Sequence, residues 1–126
     1  VHPYYQEKKL KKFLSHEDIK IQAWYPLGHG DNALLNEPLF KSLAEKYGKS
    51  TAQIILRWHI QEGNIIIPGS KNYNHIKANF DIFDFSLTDE EMAKISLLDK
   101  GVRYYTSTPE MLKKYAEMIP PVDEQK

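Results

Sequence analysis

The histidines and carboxylates of this chain are not spaced to build a metal or hydrolytic centre. No HExxH pair occurs and the chain has no cysteine, so the histidines lack the partners of the usual ligand sets. Four of the five histidines are scattered through the chain, at His2, His16, His29 and His59. Acidic residues are abundant between residues 81 and 91, but no spacing directs two of them to one point, which favours a solvated face over a glycosidase pair. We therefore predict no metal site, and we expect His59 to be a core histidine.

One segment that leads from a predicted strand into a predicted helix is suited to bind an anion. Residues 68–79 (PGSKNYNHIKAN) follow a short apolar run and begin a helix at Asn72 or Asn74. A helix N-terminus presents unpaired N–H donors and the positive end of the helix dipole. Residues 26–32 (PLGHGDN) follow another strand and form a loop, because they combine two glycines, a proline and an Asp-Asn pair.

Composition excludes several classes of protein and partner. The chain has 126 residues, 41% hydrophobic and 27% charged, as in ordinary globular domains, so disorder and coiled coil are disfavoured. Seventeen basic residues balance seventeen acidic ones, which leaves no net field to attract nucleic acid or an anionic membrane. No apolar run reaches the length of a membrane span, and the first residues do not resemble a signal peptide. The lack of cysteine suits a reducing compartment. We expect a cytoplasmic protein with neither a nucleic-acid nor a membrane partner.

Helical and strand periodicities alternate along the chain. A strand period occurs over residues 19–24, and the apolar run Ile65–Ile67 is typical of a strand covered on both faces. Amphipathic helices are predicted over residues 5–16, 38–48, 51–63, 72–80, 88–98 and 108–118. The lysines of the first helix are expected to form a solvated face. The residues expected to face a core are Ile54, Ile55, Leu56 and Trp58. The polar end, residues 120–126, is expected to fray.

Capping signals mark the starts of three of these helices. Ser50 or Thr51 is expected to cap the helix that ends at Gly63, and Thr88, with Glu91 three residues later, matches a capping box. Pro38 suits a first helical turn, as Asn72 or Asn74 suits an N-cap. The helix boundaries are therefore predicted from local chemistry.

The order of these elements indicates an incomplete α/β domain. Strands that alternate with helices imply a parallel sheet with right-handed crossovers. Only two or three strands fit into the chain, and so small a parallel sheet leaves edges and faces uncovered. The chain also begins with Val1 rather than Met, as a cut chain would. We predict that residues 1–126 form a single partial domain.

The chain resembles the C-terminal half of an aldo-keto reductase. The matching motifs occur in family order and cover essentially the whole chain: VHPYYQ, IQAWYPLGHGD, LAEKYGKSTAQIILRWHIQEG, IIIPGSKNYNHIKANFDIFDFSLTDEEM and LLDKGVRYYT. The resemblance implies an α/β fold, the C-terminal part of a (β/α)8 TIM-type barrel with parallel strands and surrounding helices. A complete barrel needs about 250 residues, which this chain does not have.

The resemblance also implies a nicotinamide cofactor. Trp24 stands where the family stacks an aromatic ring on the nicotinamide, although its residue type alone also fits a packing role. Leu27 and Gly28 belong to the segment that folds over the pyrophosphate, where Gly28 and Gly30 would let backbone N–H groups approach phosphate oxygens. As an isolated pattern, without the resemblance, the two glycines indicate only a turn.

The segment after the second strand resembles the family's site for the adenosine 2′-phosphate and adenine. Ser70 would donate its hydroxyl to the phosphate, and Asn79 would contact the adenine edge. His75 replaces the arginine common in the family, and Gly69 replaces its lysine, so Lys71 would have to compensate. NADPH is the expected cofactor, with NADH left open.

The family's catalytic residues have no counterpart in this sequence. In the family a tyrosine acid, tuned by lysine, aspartate and histidine, protonates the carbonyl oxygen, and those residues lie in the N-terminal half. We name no catalytic residue. The resemblance implies NAD(P)H-dependent reduction of aldehydes or ketones to alcohols in the complete barrel, whose substrate pocket residues 102–118 would help to line. The chain alone is expected to be inactive.

A second interpretation is a non-enzymatic module. In that case the chain would sense the cofactor or bind a partner, and a second polypeptide, the missing half or another copy would cover its strand edges.

Overall fold

The structure, a computed structural model, describes residues 1–103 and 106–118. Seven helices and two short strands occur in these ranges. In chain order they are α1 (Lys8–His16), β1 (Gln22–Ala23), α2 (Asn32–Leu35), α3 (Pro38–Tyr47), α4 (Thr51–Gln61), β2 (Ile65–Ile66), α5 (Tyr73–Phe80), α6 (Asp89–Ser96) and α7 (Pro109–Glu117). The predicted fraying of residues 120–126 lies outside the described residues. No described helix is long and apolar enough to span a bilayer.

The predicted caps do start their helices. At α4 the Ser50 hydroxyl accepts from the Gln53 N–H at 3.2 Å, and the Gln53 side chain accepts from the Ser50 N–H at 2.9 Å. Thr88 accepts from the N–H three residues later, at the start of α6. Asn72 caps α5. In both pairs of candidate caps the earlier residue is the N-cap, because it keeps extended backbone angles while its side chain turns back to the first turn.

The core lies where α3, α4 and α6 meet. All four residues expected to face it from α4 are fully buried, which confirms that prediction. Apolar side chains of α2, α3 and α6 fill the rest. The fully buried apolar residues include Leu34, Phe40, Ile54, Ile55, Leu56, Trp58 and Ile95. The helices α2, α3, α4 and α6, here called the helical side, thus have a core of their own.

The two strands are shorter and more exposed than the sequence predicted. They pair in parallel, with Gln22 opposite Ile65 and Ala23 opposite Ile66, so the expected parallel crossover is confirmed. However, β1 covers two of the six residues predicted for it. The expectation that both faces of β2 are covered is wrong for this chain, because Ile65 and Ile67 are 47% and 68% exposed. Within the described ranges the sheet has two strands, so neither has two neighbours.

The start of α1 and the end of the predicted loop 26–32 also differ from the prediction. α1 begins at Lys8 rather than at residue 5, because Glu7 adopts a left-handed backbone with a φ of 52°. The end of the predicted loop 26–32 overlaps a short helix, α2, which the sequence did not indicate. Asp31 caps it by accepting from the Ala33 N–H at 2.8 Å.

A buried carboxylate ties α3 to α6. Glu91 accepts from the Tyr47 hydroxyl at 2.8 and 2.9 Å and from the Lys46 ammonium at 2.6 Å. Desolvation would raise the pKa of Glu91, but hydrogen bonds from Lys46, Tyr47 and Thr88 outweigh it and hold that pKa below its ordinary value. The carboxylate is therefore ionised in its buried position.

Candidate functional site

An open cleft of about 710 Å³ lies at the carboxyl ends of the two strands. Its walls come from the end of β1 with the loop that follows it, and from the residues that follow β2. The lining residues are Gln22, Ala23, Trp24, Tyr25, Pro26, Leu27, His29, Gly30, Ile67, Pro68 and Gly69. Trp24 directly follows β1 and exposes 60% of its surface. A planar ring therefore has an accessible aromatic face at this end of the cleft.

A second cavity of about 410 Å³ lies beside the cleft and is lined mainly by residues of the helices and their starts. The two spaces share Leu27 and Gly69. The second one is lined by Leu27, Leu35, Ser50, Thr51, Ala52, Gln53, Gly69, Ser70, His75, Ala78 and Asn79. Together they form a groove that leads from Trp24, past Leu27, to Asn79.

Five of the seven residues predicted to bind the cofactor line this groove. They are Trp24, Leu27, Ser70, His75 and Asn79. Gly28 is buried in the loop below the cleft and has a φ of 82°, a conformation that favours glycine. Lys71 is exposed and lines neither space. The groove thus brings together residues that are more than 50 positions apart in the chain.

The loop after β1 has an unusual concentration of left-handed backbone. Tyr25 and His29 each have a φ of 52°, and Gly28 and Gly30 are also positive. Two turns close within it, from the Gly28 N–H to the Tyr25 carbonyl and from the Asp31 N–H to the Gly28 carbonyl, both at 2.9 Å. Non-glycine residues in this region carry a conformational cost, so packing around the loop must hold it.

Aromatic stacking joins Trp24 to this loop. The rings of Trp24 and Tyr25 lie 4.3 Å apart between centroids, and those of Tyr25 and His29 lie 3.9 Å apart. Sequence reasoning missed Tyr25 and His29 as lining residues. Their signal was weak, since neither belongs to a spaced motif and only the turn brings their rings together.

The anion end of the groove differs in part from the sequence expectation. The prediction assumed free N–H donors at the start of α5, but Asn72 uses its side-chain oxygen to accept from the N–H groups of Asn74 and His75, at 2.9 and 3.3 Å. The Ser70 hydroxyl oxygen accepts from the Asn72 N–H at 3.0 Å, and its proton can still be donated. Ser70 is therefore better placed to donate than the first turn of α5.

A second helix start reaches the same cavity. Ser50 and Thr51, at the beginning of α4, line it beside Ser70. Gln53 holds the two helices together, because its amide nitrogen donates to the carbonyls of Ala78 and Asp81 at 3.1 and 3.0 Å. The sequence marked Ser50 only as a cap, so its place in the cavity was not predicted.

His59 lies beneath the loop and is fully buried, which confirms that it is a core histidine. Its Nε2 is 3.0 Å from the Pro26 carbonyl oxygen, and its Nδ1 is 3.1 Å from the Asn64 amide nitrogen. Burial lowers the pKa of His59 to about 4, so the ring is neutral near pH 7.

A third cavity, of about 300 Å³, adjoins the cleft at Trp24 and Tyr25. Arg103 reaches it and donates from Nε to the Tyr5 hydroxyl at 2.7 Å. The lining residues are Val1, His2, Tyr5, Glu7, Trp24, Tyr25, Arg103 and Ser107. Trp24 and Tyr25 therefore line both the cleft and a polar cavity to which residues of the predicted substrate-pocket segment contribute. In the described part of the chain, no three histidine or acidic side chains are grouped to hold a metal.

Residues 1–100 match the sequence model of the aldo/keto reductase family. The chain is 48% identical over 112 residues to aldo-keto reductase family 1 member D1 of Oryctolagus cuniculus, a match that covers 82% of this chain and 34% of that protein. It is 37% identical to methylglyoxal reductase DkgA of Escherichia coli, over 82% of this chain and 38% of that protein. The chain thus spans about a third of the length of the curated relatives it matches.

Solved structures give the same result for the fold. An aldo/keto reductase from Brucella melitensis is 50% identical and superposes with a TM-score of 0.72, over 79% of this chain and 37% of that one. A mutant of Gox0644 in complex with NADPH is 35% identical with a TM-score of 0.75, over 79% of this chain and 36% of that one. These likenesses confirm the predicted fold class, part of a TIM-type α/β barrel.

Proposed function

This chain belongs to the aldo/keto reductase family, and from that premise we propose that it forms the cofactor-binding part of a cytoplasmic, NADPH-dependent oxidoreductase that reduces aldehydes or ketones to alcohols. The observation that carries the proposal is the groove from Trp24 to Asn79, which five of the predicted residues line. One solved relative is described as a complex with NADPH, which supports the choice of cofactor.

The residues of the groove fit the parts of a dinucleotide. The exposed face of Trp24 would stack on the nicotinamide ring, and the loop at Leu27 and Gly28 would cover the pyrophosphate. Ser70 would donate to the 2′-phosphate, and Asn79 would contact the adenine. When bound, the cofactor supplies a hydride to the carbonyl carbon.

The protein's own part in this chemistry is to bind and orient. Trp24 also lines the cavity at Arg103 and Ser107. A nicotinamide stacked on Trp24 would present its other face to a small carbonyl substrate, because an indole ring between the two reactants would block hydride transfer. Within the described residues, no catalytic acid is assigned, and we propose that the chain by itself does not turn over.

Charge at the 2′-phosphate end is low for a strict NADPH site. Gly69 stands where the resemblance expects lysine, and His75 where it expects arginine. Lys71 is exposed one residue beyond Ser70 and supplies the nearest cationic side chain in sequence. We propose that NADPH is preferred over NADH by a modest margin.

A calorimetric titration of the full chain with NADPH, and in parallel with NADH, tests this function. We expect saturable binding, tighter for NADPH. Trp24→Leu should weaken binding by about fivefold to tenfold, as the loss of an aromatic stack does. Phe83→Leu is the matched control, because Phe83 is also exposed but lines neither part of the groove. Absence of saturable heat with both nucleotides would contradict the proposal.

The apolar surface around the residues that follow β2, here called the strand side, is exposed. It favours a second candidate, in which a non-enzymatic module assembles with another chain. Ile67, Phe80 and Phe83 are each more than 60% exposed and lie around an apolar cavity after β2. Sedimentation of the full chain distinguishes the candidates. A dimer that binds nucleotide but never reduces a carbonyl, even when the N-terminal part of a relative is supplied, would favour the module.

A further inference from the structure

The His59 imidazole is a buried ring that uses both nitrogens. Nε2 contacts the Pro26 carbonyl at 3.0 Å and Nδ1 contacts the Asn64 amide nitrogen at 3.1 Å. Both histidine and asparagine are at least 96% buried. A buried polar ring with two partners is costly to disrupt, because each lost bond leaves an unpaired group out of water.

The partners determine the tautomer. The Pro26 carbonyl oxygen can only accept, so Nε2 must carry the proton and donate. In the neutral ring Nδ1 is then an acceptor, and the Asn64 amide must donate to it. The hydrogen-bond direction therefore runs from Asn64 through His59 to Pro26, with one orientation for each group.

The hydrogen bonds from Asn64 through His59 to Pro26, here called the relay, end on the loop that follows Trp24. Pro26 has no N–H, so its carbonyl is the backbone group through which the loop can be held at that point. Trp24 lies two residues before it and Leu27 one residue after it, and both line the groove. A bond at Pro26 therefore restrains the two neighbours that define the cleft.

The relay also connects three separate elements. His59 belongs to α4, Asn64 directly precedes β2, and Pro26 follows β1. The Trp58 ring packs edge-on against His59 with centroids 4.6 Å apart, and the Asn64 N–H donates to the His59 carbonyl at 2.9 Å. The imidazole is thus held on both sides. A residue that positions a strained loop must itself be fixed in this way.

We propose that His59 is a positioning residue that fixes the loop from Trp24 to Leu27 and thereby sets the affinity of the groove for the nicotinamide cofactor. The affinity part rests on the proposed function. The loop part does not, because the conformation of Trp24 can be measured without nucleotide.

The first measurement is the imidazole ¹⁵N spectrum of the wild-type full chain at pH 7. His59 is identified by the signals that disappear in His59→Gln. The expected result is a neutral ring protonated at Nε2. A ring protonated at Nδ1, or a charged ring, would overturn the proposal, because neither is compatible with the relay.

The second measurement uses variants labelled with 5-fluorotryptophan, whose two ¹⁹F signals are assigned with Trp24→Phe. His59→Phe keeps a flat ring but loses both hydrogen bonds. It should shift or broaden the Trp24 signal and raise the Kd for NADPH about tenfold, equivalent to about 1.4 kcal/mol. His59→Gln can donate to Pro26 and should restore both properties to near wild type. Ile95→Val, a buried change on α6, should leave both unchanged.

The outcomes separate the two proposals. If the wild-type chain binds no NADPH, the proposed function fails, and the ¹⁹F comparison still decides whether His59 holds the loop. An unchanged Trp24 signal in folded His59→Phe would overturn the positioning role. If His59→Phe does not fold, the wild-type tautomer decides: a neutral ring protonated at Nε2 supports the role, and a ring protonated at Nδ1 or a charged ring overturns it.

Discussion

The helical side and the strand side of this molecule bury their apolar residues to very different extents. On the helical side, Phe40 and Ile95 are completely buried where α3, α4 and α6 meet. On the strand side, Ile67 is 68% exposed and Phe80 is 76% exposed. Both sides use similar residue types, so composition does not explain the difference.

The difference shows which elements can pair their backbone groups and bury their apolar surface with few neighbours. A helix closes its own hydrogen bonds, and a capped helix needs only one partner to bury its apolar stripe. A parallel strand needs neighbours on both edges and cover on both faces. The candidate groove lies on the boundary, with Ser50 and Gln53 from the helical side and Trp24 and Ser70 after the strands.

The largest effect should come from a matched pair of phenylalanines, one from each side. Phe40→Ala should lower the free energy of unfolding by about 3–5 kcal/mol, since it opens a cavity in the core. Phe80→Ala should change it by less than about 0.5 kcal/mol, because that ring is mostly solvated. Urea denaturation of the full chain measures both. Equal losses would contradict the division into two sides.

Glu91→Gln should give the next largest effect, a loss of about 2–3 kcal/mol. The neutral amide would lose the charge that pairs with Lys46, and its NH₂ group would need acceptors in a buried position. The same urea experiment measures this loss. Lys46→Met is the control, since the lysine side chain is 57% exposed and should cost less than about 1 kcal/mol. A larger loss in the control would place the stabilisation in the ion pair rather than in the buried carboxylate.

Acid should destabilise the protein through His59. The pKa of His59 is lowered by burial to about 4 in the folded protein, against 6.5 for an unburied histidine, so the unfolded state binds more protons as the pH falls below 6.5. The loss from His59 between pH 7 and pH 5 is about 2 kcal/mol. Burial lowers the pKa of His2 to about 4 as well, so His59→Gln should keep about half of the pH dependence. Urea denaturation at a series of pH values measures this slope. A slope equal to that of the wild type would show that His59 does not titrate on unfolding.

The smallest effect concerns the anion end of the groove. A side chain at Gly69 would meet open space, since no heavy atom lies within 4 Å of an added Cβ. Gly69→Lys should therefore be tolerated and should raise the preference for NADPH over NADH about tenfold, by adding positive charge beside Ser70. Gly69→Ala is the control for the backbone, and calorimetry measures both ratios. A preference that does not change would place the 2′-phosphate elsewhere.

Local motifs predicted much of the helical side correctly. Ser50, Asn72 and Thr88 are among the predicted caps because a capping side chain and the backbone N–H that donates to it lie within three residues of each other. The extent of the strands was overestimated, because alternation in residues 19–24 shows what could pair and not whether a neighbour is present. Free donors at the start of α5 were also overestimated, since Asn72 occupies two of them.

The sequence alone determined the starts of α4, α5 and α6 to within one candidate cap, the core face of α4, the family resemblance and the candidates for cofactor contact. These depend on patterns within a few residues or on motifs in linear order. The tertiary structure decided that Trp24, Leu27 and Asn79 share one groove, that Lys71 lies outside it, and that His59 holds Pro26. His59 and Pro26 are 33 residues apart. A contact at that separation exists only because packing of α4 beneath the loop brings the two groups to hydrogen-bond distance, which no local pattern encodes.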